Sequence, residues 1–165
     1  MSFNFGFSYI GAIFLMMLMI PNFIWTKHQP KNYECYVKNE NKLLLYLERI
    51  GEVSVTGFVL VFDDFNINEI SMNTLLLLIA FLLMLLYEWF WIRYFHSEQT
   101  MQDFYGDMFF IPIPGAVLPV ITFLLLAIYG RNLFLFIAAL ILGIGHIGIH
   151  LQYRSKLPVS LKEEG

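Results

Sequence analysis

A single cysteine, Cys35, stands in 165 residues, so the chain can form no internal disulfide and carries no cysteine-rich metal motif. Charge is scarce as well. Charged side chains make up 14% of the residues, where a soluble domain has about a quarter. The net charge of −3 and the lack of any basic stripe give nucleic-acid binding no footing. The chain contains no G-x-S-x-G elbow, no Walker loop and no H-E-x-x-H pair. Gly143, Gly145 and Gly148 spell G-x-G-x-x-G, but they sit in an apolar helical segment and follow no strand of a βαβ unit. A dinucleotide reading therefore fails, and the small residues instead allow another helix to come close. The N-terminus lacks a basic start and a small-residue cleavage site, so the first apolar run is expected to stay in the protein.

What the chain has in abundance is apolar and aromatic residues, 58% and 18% of the total. Positions 70–87 hold no charge and end in a belt of Tyr87, Glu88, Trp89, Trp91 and Tyr94. A bilayer core of about 30 Å takes roughly 20 apolar residues in helix, with every amide satisfied inside the segment. Five segments read this way, at about 7–25, 43–62, 74–94, 109–129 and 132–151. The expected fold is all-α: one polytopic transmembrane helical bundle spanning 1–165, with loops at 27–42 and 96–107. The fourth segment carries Pro112, Pro114 and Pro119, so its start is expected to be kinked or partly unwound.

The second segment contains Glu48, Arg49 and Glu52, each costing roughly 2.5–3.5 kcal/mol at a bilayer centre. Charge placement decides in its favour. With five spans, Lys27, Lys31, Lys38 and Lys42 share a side with Arg154, Lys156 and Lys162. Arg131 is then the one basic loop residue opposite, beside Asp63, Asp64 and Glu69. The positive-inside rule then places the N-terminus outside and the C-terminus in the cytoplasm. The expected location is the bacterial cytoplasmic membrane.

This topology gathers polar residues in one layer. Glu48 and Glu52 fall on the order of 8–14 Å from the cytoplasmic end of the second span, and Glu88 about 9 Å from the end of the third. His146 and His150 on the fifth span share that depth. Glu48 and Glu52 are four apart and share a helix face, with Thr56 one turn on. Paired carboxylates in low dielectric need a proton, a cation or a basic neighbour such as Arg49 or Arg93. Glu48, Glu52, Glu88, His146 and His150 are the candidate acid, base or catalytic groups, with Arg49, Thr56, Trp91 and Arg93 as candidate ligand contacts. His146, His150 and Glu52 are candidate ligands for a divalent metal such as zinc or iron. Plainer roles stand beside these. Arg49 and Glu52 can be an i, i+3 ion pair, the histidines can hydrogen-bond neighbouring helices, and Glu88 can reach the headgroups. The run 98–107 reads first as a solvated loop, and second as a cover for the site or a cation binder.

Three functions follow as expectations. The first is binding or modification of an amphiphilic, lipid- or isoprenoid-like ligand at this polar site. The second is transport of a cation, a metal or a proton-coupled solute. The third is a non-catalytic accessory subunit. The expected partners are membrane lipids, with a second copy or a partner membrane subunit also open.

Overall fold

The computed structural model describes residues 4–38 and 40–157, so Lys162 lies outside the described residues. Within them the chain is all-α, with seven helices and no strand. They are α1 Tyr9–Trp25, α2 Tyr33–Val37, α3 Lys42–Val61, α4 Thr74–Phe95, α5 Met101–Tyr105, α6 Pro114–Tyr129 and α7 Leu133–Ser155. Each of the five expected apolar segments contains one long helix. The expected loops at 27–42 and 96–107 each contain a one-turn helix, α2 and α5.

Local chemistry sets the boundaries. Ser8 caps α1 by accepting from the Gly11 amide, Asn41 caps α3 through the Leu43 and Leu44 amides, and Asn132 caps α7 through Leu135. Helix α5 opens with a reciprocal capping box between Thr100 and Asp103. Helix α6 begins only at Pro114, five residues later than the apolar pattern begins. Phe109, Phe110 and Ile113 all have positive φ, and Pro114 suits the first helical position. Phe109 and Phe110 form the tip of a tight turn closed by two amide–carbonyl bonds between Met108 and Ile111.

Two helices, α4 and α7, are long and apolar enough to cross a membrane. Of the most apolar 18 residues in each, 33% and 39% are buried in the bundle and the others are partly or fully exposed. Helices α1 and α6, with 17 and 16 residues, rise about 26 and 24 Å.

Packing follows small residues. Helix α3 lies along α7, α4 lies along α6, and α6 on α7 joins the two pairs. A Cβ on Gly51 of α3 would stand 2.5 Å from the Leu142 Cα of α7. One on Gly145 of α7 would stand 2.3 Å from the Glu48 amide nitrogen. The two backbones are therefore in contact at both levels, the close approach that the small residues of α7 allow. Helix α1 touches both α3 and α4, and Gly11 presses against the Val59 carbonyl of α3.

The two ends of the bundle differ. At one end Asp64 accepts from Asn4 and Asn132, and Asn66 accepts from Tyr9 and donates to Phe7. Above this clasp the interior is filled by Phe14, Val59, Ala80, Leu118 and Phe123. At the other end α2 and α5 fold across the helix termini. Lys156 donates to the Tyr36 carbonyl at 2.7 Å, Tyr94 to the His28 carbonyl at 2.6 Å, and Arg154 pairs with Asp107 at 2.5 Å.

Candidate functional site

Beneath this cover is a cavity of about 250 Å³ lined by α1, α3, α4, α5, α6 and α7 together with Tyr33 and Glu40. One wall is aromatic: Trp25, Tyr33, Trp91, Phe104, Tyr105 and Tyr153. Trp25 stacks on Phe104 with ring centres 5.7 Å apart, and Tyr33 stands edge-on to Trp25 at 5.2 Å. The lining also carries Glu48, Arg49 and Glu52 of α3, with His146 and His150 of α7, and His150 packs against Tyr105 and Tyr153.

Glu48 is the acid that reaches inward. It is 8% exposed, and its Oε1 lies 2.6 Å from His146 Nδ1. The contact exists because Gly145 lets the α3 backbone come against α7 one residue before His146. The His146 and His150 rings stand 4.4 Å apart, and His150 Nδ1 lies 3.1 Å from the Tyr105 hydroxyl. Tyr153, one turn beyond His150, donates to Glu40. A chain of polar contacts thus runs from α3 through α7 to the covering helix α5.

Electrostatics in the cover follow from burial. Burial first, then the Glu40 and Glu48 carboxylates, push the Tyr33 phenol up to about 12. Burial first, then Tyr33, holds the Tyr105 phenol well above its ordinary value. Both phenols are thereby held in their neutral form. Burial, followed by the charge on Glu48, raises the Glu40 carboxyl, while Arg49 and Lys156 pull it back.

The residues singled out from sequence are distributed unequally. Glu48, His146 and His150 come together, and Trp91 is buried in the cavity wall. Glu52 and Arg49 line its edge, paired to one another at 2.7 Å with side chains 41% and 68% exposed. Thr56 is exposed one turn further along α3. Glu88 does not line the cavity, and its Oε1 is buried without a hydrogen-bond partner. Arg93 is exposed, its guanidinium lying 5.9 Å from the Phe90 ring centre.

Sequence reasoning did not single out Tyr33, Glu40, Tyr105 or Tyr153. Tyr153 had a signal, since positions 146, 150 and 153 form one stripe on a helix. Tyr105 lay inside the run read first as a solvated loop. That run instead forms α5, which turns Phe104 and Tyr105 into the cavity. No protein family, curated protein or solved structure compared with this chain matches it.

Proposed function

We propose that this chain is a five-span integral membrane protein that binds an amphiphile, seating its polar end in the cavity on the cytoplasmic side. The observation that carries the reading is the cavity itself, a pocket that combines aromatic side chains with a convergent set of Glu and His groups at one end of the bundle. A lipid environment is supported by the outward apolar side chains of all five long helices, among them Met16, Ile50, Leu82, Ile121 and Leu140. Orientation is supported by charge, because Lys27, Lys31, Lys38, Lys42, Arg154 and Lys156 all belong to the covered end.

The geometry favours binding over conduction. Polar lining stops at Glu52, and beyond it Phe14, Val55 and Val59 are packed tight. The exposed Arg49 and Glu52 mark an edge through which a headgroup in the adjacent leaflet reaches Glu48 and His146.

The test is lipid analysis of the full chain extracted in mild detergent. A defined amphiphile should co-purify at about one per chain and be depleted in Trp25→Ala and Glu48→Gln variants that still fold. Identical, non-selective lipid content in wild type and both variants would sink the reading.

A further inference from the structure

We propose that Glu48, His146 and His150 form a binding site for one divalent metal ion of the zinc class. One ligand atom from each residue can be chosen so that all three lie within 4.8 Å of one another. They come from two helices held in fixed register by the Gly145 and Gly51 contacts, so the spacing is set by backbone packing rather than by flexible loops. Two imidazoles four residues apart on one helix face, completed by a carboxylate from a neighbouring helix, are a donor set that zinc accepts. Calcium and magnesium call for more oxygen donors than the three residues offer.

Charge points the same way. Around the cavity Glu40, Glu48 and Glu52 face Arg49, which is engaged by Glu52 at 2.7 Å, while Lys156 acts on Glu40 from the cover. Among the described residues, the ion pair that Glu48 makes is with the imidazole of His146, since the nearby Arg49 is held by Glu52. Metal binding would replace the hydrogen between Glu48 and His146, with the imidazole proton carried on the other ring nitrogen. The Tyr105 hydroxyl, 3.1 Å from His150 Nδ1, is placed to fix the tautomer of the second ring. Three protein donors leave a fourth position open to the cavity, where an oxygen of water or of a bound molecule completes a tetrahedron.

The bland alternative is that Glu48 and His146 only fasten α3 to α7, and metal binding separates the two. The experiment uses the full chain in lipid-free detergent, so its outcome does not depend on any amphiphile. Zinc is added in excess, the protein is desalted, and zinc per chain is measured by elemental analysis. Cobalt(II) is titrated in parallel for the visible absorption of tetrahedral coordination. The expected result is about one zinc per chain, with affinity reduced at least about tenfold in Glu48→Gln and in His150→Asn. Melting curves recorded without metal establish that these variants fold. His146→Gln serves as a replacement for whichever of them does not. Cys35→Ser should bind as wild type does. Retention of no zinc by the wild type overturns the proposal. So does retention unchanged in folded Glu48→Gln and His150→Asn, or abolished by Cys35→Ser.

Discussion

The imidazole of His146 meets the carboxylate of Glu48 across 98 positions of chain, Nδ1 to Oε1 at 2.6 Å. Removing either partner leaves the other buried and unmatched, a cost on the order of 1–3 kcal/mol. Glu48→Ala and His146→Ala should each lower the melting temperature in detergent. The double variant should fall short of the summed losses by at least about 0.5 kcal/mol. Strict additivity would mean that the two groups do not interact.

Two glycines give a matched pair of opposite outcomes. Gly145→Val drives a side chain into the Glu48 backbone, separates α3 from α7 and should cost more than about 3 kcal/mol. Gly57 on α3 has nothing within 4 Å of an added Cβ, so Gly57→Ala should stabilise by about 0.5–1 kcal/mol. Thermal unfolding of both variants checks this, and similar losses in the two would contradict the packing.

The Glu40 carboxyl is raised by burial and by Glu48. Such a group supports the fold while it keeps its proton, and that contribution is lost as pH climbs through its folded value. Wild type should therefore lose a little stability as pH rises from about 4.5, and Glu40→Gln should flatten this part of the profile. The group is partly exposed, so the difference should be small, about 1–3 °C in melting temperature. A steeper wild-type rise in stability over the same range would reverse the assignment.

Cys35 is exposed in the cover, at the end assigned to the cytoplasm, and is the sole cysteine. A membrane-impermeant maleimide should label it in inverted vesicles and leave it unlabelled in intact cells. In a Cys35→Ser background, Arg131→Cys should give the reverse pattern. Labelling of Cys35 from outside would invert the topology.

The five long helices were legible because apolar runs and turn residues announce them locally. The meeting of Glu48 with His146 was legible only as a shared depth, since rotation about each helix axis is set by packing. Glu88 illustrates the gap, as its depth suited the layer but Tyr87 and Trp91 claim the inner face of α4. Glu52 likewise shares a helical stripe with Glu48, yet one turn along α3 it is drawn to Arg49. The aromatic wall was hidden because Tyr33 and Tyr105 sit in single-turn helices too short for a periodic signal.

Phe109 and Phe110 hold left-handed backbones at the tip of their two-residue turn, and Phe110 is fully exposed at 101%. Such geometry costs on the order of 1–3 kcal/mol per residue, and glycine would adopt it freely. Water offers these rings no compensation, whereas a headgroup zone would, because such a zone rewards aromatic insertion. On the five-span reading proposed above, the hairpin would act as a wedge whose backbone cost is offset at the lipid surface, where it would help to set how deeply the bundle rides in the leaflet.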